Sequence, residues 1–135
     1  MKNLWRYSGH MLAAIGVIHL IVWLVLGWQM AENIVADGIV NTIKPAPDFE
    51  NVARAALWYG GIWTGVLIIL LGLFVRYHTH STGRTPPRHL SVVLLLLSAL
   101  GCLIEPQSGA WMVAAVALIM VMAPQPESDC SAKTD

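Results

Sequence analysis

From Gly9 to Met30 the chain reads GHMLAAIGVIHLIVWLVLGWQM, an apolar run without Asp, Glu, Lys or Arg. An α-helix rises ~1.5 Å per residue, so about 20 apolar residues cross a hydrocarbon core ~30 Å thick. This stretch is long enough, and its reading decides the fold. Lys2 and Arg6 precede it, as the basic region of a secretory signal would. The run is longer than a signal core, however, and no small-x-small cleavage site follows. It therefore reads as a retained membrane span.

Composition agrees with that reading. Hydrophobic residues make up 56% of the 135-residue chain and charged residues 12%, against roughly 25% charged in soluble proteins. Mean hydropathy is +0.62. So few charges cannot cover the surface of a soluble domain, and the surplus apolar side chains are expected to face lipid.

Three further runs complete the pattern. Val52–Val75 is a second full-length span, closed by Arg76. Leu90–Ile104 and Gly109–Ala123 are shorter, and only Glu105-Pro106-Gln107-Ser108 separates them. A connection that short, with a helix-stopping proline, predicts an antiparallel hairpin whose helices Arg88, His89 and Ser108 extend. A bilayer admits helices or closed barrels, and the alternation of barrel strands is missing. The expected fold class is all-α: an integral membrane four-helix transmembrane bundle over residues 1–123. Its spans run over about 9–30, 52–75, 88–104 and 108–123, and residues 124–135 form a polar tail.

Basic residues orient the bundle. With four spans, Lys2, Arg6, Arg76, Arg84, Arg88 and Lys133 fall on one side, and Lys44 and Arg54 on the other. Both termini are therefore expected in the cytoplasm. Between spans 1 and 2, Val35, Ala36, Ile39, Val40 and Ile43 oppose Asn33, Asp37, Asn41 and Lys44 on a helical wheel. That pattern predicts a short amphipathic surface helix, ended by Pro45-Ala46-Pro47. His78–Pro87, with Ser81, Gly83, Pro86 and Pro87, reads as a flexible cytoplasmic turn.

Helices in lipid associate through small residues and interhelical hydrogen bonds. Gly9, Ala13, Gly16, His19, Trp23 and Gly27 share a face of span 1, and Arg54, Trp58, Gly61, Gly65 and Gly72 a face of span 2. Ser91, Ser98, Cys102 and Glu105 line span 3, and Ala110, Ala114 and Ala117 line span 4. These stripes are the expected interior.

Among residues able to carry chemistry, His19 is the most informative. An ionisable group in the middle of a span is costly and faces the interior. Thr64 and Ser98 are expected at a similar depth, so a His–Thr or His–Ser hydrogen bond competes with a proton-relay or ligand role. Trp23 lies one turn from His19. Asp37, Arg54 and Glu105 are expected to gather at the extracytoplasmic rim, as a charge-assisted clamp between hairpins or as a gate for anions.

Other chemistries lack a signature. The eight basic and eight acidic residues cancel, which leaves no footprint for nucleic acid. His78, His80 and His89 have no paired cysteine or carboxylate to make a metal site. A bis-histidine haem would need a second histidine beside His19, and His10 is ~13 Å away along the helix. Cys102 and Cys130 are expected near opposite membrane faces, too far apart for a disulfide. No catalytic residue, metal or cofactor is assigned.

With those residues in view, the chain resembles a family of small four-span bacterial membrane proteins classed as a domain of unknown function. The likeness runs from about Trp5 to Ala123. It is carried by Gly16-Val17-Ile18-His19, Asp37-Gly38-Ile39-Val40-Asn41, Arg54-Ala55-Ala56-Leu57-Trp58-Tyr59 with Gly60-Gly61, and Pro106-Gln107-Ser108-Gly109-Ala110-Trp111. The resemblance implies a bacterial inner-membrane location and a four-helix layout, and supplies no activity.

The expected function is a non-enzymatic scaffold or partner-binding bundle, self-associating or joined to another membrane protein within the lipid bilayer. Two alternatives stand beside it. One is a small proton-coupled carrier lined by His19, Thr64 and Ser98 with Asp37, Arg54 and Glu105 at its mouth. The other is a membrane enzyme or redox component holding a lipophilic ligand, such as a quinone, near His19 and Trp23.

Overall fold

The computed structural model describes residues 4–37, 49–104 and 109–124, and all regular structure among them is helical. A 3-10 turn (Leu4–Tyr7) leads into α1 (Ser8–Leu26), followed by α2 (Trp28–Asp37) and α3 (Phe49–Ala55). A π-helical segment (Ala56–Trp63) then joins α3 to α4 (Thr64–Thr82), and α5 (Arg88–Ile104) and α6 (Ala110–Val121) are the last helices among the described residues. Two stretches are long and apolar enough to cross a membrane: Leu4–Leu26, 23 residues, and Asn51–Thr82, 32 residues. Few of their residues are buried, whereas the core helix of a soluble protein is buried nearly all round. The helices α5 and α6, 17 and 12 residues long, are apolar but shorter.

The chain divides into two compact units, residues 10–73 and residues 1–9 with 74–135. In the first, the small-residue stripes form the contact between α1 and the helix that runs through the π segment. A Cβ added to Gly65 would stand 2.6 Å from Leu20, one added to Gly61 2.9 Å from Trp23, and one added to Gly27 2.8 Å from Leu57. The opposite face of α1, with Ile18, Ile21, Val22 and Val25, is exposed. Glycine therefore sets how closely the helices approach, as expected where no hydrophobic drive brings helices together.

The helix after span 1 begins earlier than its amphipathic pattern suggests. The Gly27 N–H bonds to Trp23 O and the Ala31 N–H to Gly27 O, both at 2.9 Å. Helical bonding thus continues through the glycine into α2. Ile34 is buried, while Val35 and Ala36 are exposed, because α2 turns toward α3 the face that continues from Gly27. Ile39, Val40 and Ile43 lie outside the described residues, as do Glu105 and the tail beyond Pro124.

In the second unit, the first half of the expected flexible turn over His78–Pro87, His78–Thr82, is helix. α4 runs to Thr82 because no breaker precedes Gly83, and hydroxyls support its last turns: Thr79 Oγ1 donates to Arg76 O and Thr82 Oγ1 to His78 O. Gly83 then takes φ +64°, and its N–H reaches Thr79 O at 3.1 Å, a left-handed helix stop of the kind glycine favours. The turn proper is Gly83–Pro87. Beyond it α5 and α6 pack as a hairpin in which a Cβ on Gly101 would stand 3.2 Å from Ala110 Cβ. Trp5, on the 3-10 turn that packs on α6, is buried, and its carbonyl accepts a 2.7 Å bond from Ser8 Oγ.

Candidate functional site

The site is built on a departure from the α-helix. Gly60 and Gly61 each favour an α-helix by ~1 kcal/mol less than alanine, so the Ala56–Trp63 stretch gives up little by widening to i→i+5 bonding. The Thr64 N–H reaches back to Tyr59 O, and Thr64 Oγ1 donates to the same carbonyl at 2.7 Å. π turns are rare, and many sit at functional positions.

Opposite this turn stands His19. Its Nε2 lies 2.9 Å from Gly60 O. A carbonyl only accepts, so Nε2 carries the proton and, in the neutral ring, Nδ1 is left as an acceptor. The ring is half-buried. Trp23, one turn on, holds its ring centroid 6.3 Å from the imidazole at 49°, and also packs over the glycine pair. Trp58 Nε1, within the π segment, is buried without an acceptor among the described residues.

The remaining candidates are placed differently. Thr64 does not bond to the imidazole. Ser98, in the other unit, donates to Leu94 O at 2.7 Å and to Leu95 O at 3.1 Å. Each hydroxyl thus serves its own helix, a common use of Ser and Thr in apolar helices. Arg54 and Asn51 are buried near the start of the long helix. Asp37 ends α2, its side chain lies outside the described part, and so does all of Glu105. The rim cluster is therefore described only at Arg54. No group of His, Cys, Asp and Glu able to hold a metal occurs among the described residues.

Gly60 was not marked by the sequence as a partner of His19, because a backbone carbonyl carries no side-chain signal. The adjacent Gly60-Gly61 pair was the one available hint of an irregular turn.

Over the described residues, these features define an all-helical protein with two helices long and apolar enough to cross a membrane and an imidazole fixed to a backbone carbonyl at a π turn. The chain belongs to a family of unknown function (DUF6463), which matches residues 3–127, in keeping with the expected domain of unknown function. No curated protein and no solved structure matches it.

Proposed function

We propose that this is a four-span protein of the bacterial cytoplasmic membrane, both termini inside, whose first hairpin binds a lipid-soluble ligand at His19. The observation that carries the reading is the His19 Nε2–Gly60 O bond at 2.9 Å. It fixes the ring and leaves Nδ1 to accept from a hydroxyl or N–H donor, with Trp23 beside it to cover a flat headgroup such as a quinol. The reading as binding, rather than transport, is supported by the hydroxyls of Thr64 and Ser98, which serve their own helices and offer no relay. A scaffold reading draws less support, because the glycines of α1 and of the π segment serve contacts within the chain.

Native mass spectrometry of the detergent-purified chain tests it, with wild type, His19→Ala and His19→Gln measured side by side. A non-lipid mass retained by the wild type and lost from His19→Ala is the expected result. A bare chain in every sample would leave the imidazole as a helix lock and end the ligand reading. Topology is tested separately through Cys130. It should resist an impermeant thiol reagent in intact cells and react in inverted vesicles.

A further inference from the structure

Within the unit of residues 1–9 and 74–135, the charged side chains among the described residues are Arg6, Arg76, Arg84 and Arg88, and all four are exposed. Arg84 lies within the Gly83–Pro87 turn, and Arg88 follows it as the first residue of α5. Arg76 lies on α4, two turns before its end, and Arg6 on the 3-10 turn packed on α6. α6 returns along α5, so its C-terminal end lies beside the start of α5. The Arg6 guanidinium stands 5.5 Å from the centre of the buried Trp5 ring, so a cation is held at the surface over an apolar anchor.

Other features of this unit point the same way. The first N–H of α5 to bond back is that of Ser91, to Pro87 O at 3.2 Å. The N–H groups of Arg88, His89 and Leu90 therefore face outward at the positive end of the helix. Thr85, between the two arginines, is buried, and its hydroxyl has no partner among the described residues. Tyr7 and Tyr77 are exposed, at 62% and 73%, as amphipathic rings are at headgroup level.

We propose that this end of the unit selects anionic phospholipids, taking their phosphates on Arg84 and Arg88 at the first turn of α5, with Arg6 and Arg76 adding to the field. Guanidinium binds phosphate through paired hydrogen bonds. Juxtamembrane basic residues each strengthen attachment to an anionic leaflet by roughly fivefold. The inference rests on the membrane reading above, and not on the ligand at His19.

The test is lipid retention by the purified full chain, titrated in native mass spectrometry with phosphatidylglycerol against phosphatidylcholine. The wild type should prefer phosphatidylglycerol. An Arg84→Gln/Arg88→Gln double variant should lose that preference by about 25-fold, and Arg84→Lys/Arg88→Lys should keep part of it. Equal retention of both lipids by the wild type, or an undiminished preference in the glutamine variant, would overturn the proposal. So would displacement of the lipid by millimolar inorganic phosphate, which would make this a soluble-anion site. Alkaline extraction of the source membranes separates the two failures. Release without detergent sinks the membrane reading and this inference together, while a detergent-dependent chain without headgroup preference sinks this inference alone.

Discussion

Gly16 and Gly65 meet backbone to backbone: a Cβ on Gly16 would lie 2.8 Å from Gly65 O and 2.8 Å from Ile69 N. Neither atom can swing away as a side chain can, so the helices themselves would have to part. Gly16→Ala is expected to destabilise the hairpin by about 2–3 kcal/mol, the upper range for overpacking. A Cβ on Gly65 meets mainly Leu20 Cγ and Cδ2, which can turn, so Gly65→Ala should cost about 1 kcal/mol. On Gly60 the nearest atom is Trp23 Cζ2 at 3.9 Å, an ordinary contact, and Gly60→Ala should stay within about 0.5 kcal/mol. Reversible unfolding in mixed micelles gives the ranking, and equal losses at Gly16 and Gly60 would refute the close approach.

The bond from His19 to Gly60 makes a separate prediction about stability. His19→Ala removes the donor and leaves a carbonyl of the π turn short of one partner, in the apolar setting that the proposed membrane span provides. The expected loss is about 1–2 kcal/mol, between the averages for membrane hydrogen bonds and for buried orphans. His19→Gln offers an N–H at similar reach and should recover about half of it. Histidine nitrogen spectra of the wild type, compared with His19→Gln to assign the signal, should show the proton on Nε2. A His19 signal with the proton on Nδ1 would contradict the geometry.

The buried faces of these helices were legible in sequence because close helix packing depends on residue size. Gly16, Gly61, Gly65, Ser91, Ser98 and Ala117 lie on the stripes their spacing marks, and all are buried. Helix ends were less legible. Arg76 and the histidines after it suggested a stop by polarity, yet polar side chains do not by themselves break a helix, and α4 runs on to Thr82. Gly83 stops it, because it alone can take φ +64° without strain. The site was half legible: the depth of His19 announced a polar residue in need of a partner. Its partner was hidden because it is a backbone carbonyl presented by the π turn, and no side chain marks such a partner in sequence.

The stop at Gly83 can be tested by substitution. Nothing lies within 4 Å of a Cβ built there, so any penalty comes from backbone conformation alone. Gly83→Ala should cost about 1–2 kcal/mol, the price of the left-handed region for an L-residue. Gly83→Asn should cost less, since asparagine tolerates that region better. Thermal unfolding of the three proteins provides the order, and an alanine variant as stable as the wild type would mean that α4 continues past Thr82.

Thr64 distinguishes a conducting path from a packed helix. Its hydroxyl donates to Tyr59 O at 2.7 Å, and its own N–H reaches the same oxygen. Thr64→Val therefore leaves that carbonyl with a donor, and the loss should be no more than about 1 kcal/mol. Ser98→Ala is expected to behave alike, since the carbonyls of Leu94 and Leu95 already belong to helical bonding. If the protein binds a ligand at His19 and conducts nothing, neither substitution should change the mass retained in native spectra. A wild-type proton flux in liposomes that one of these substitutions abolished, with folding intact, would instead place that hydroxyl on a conducting path.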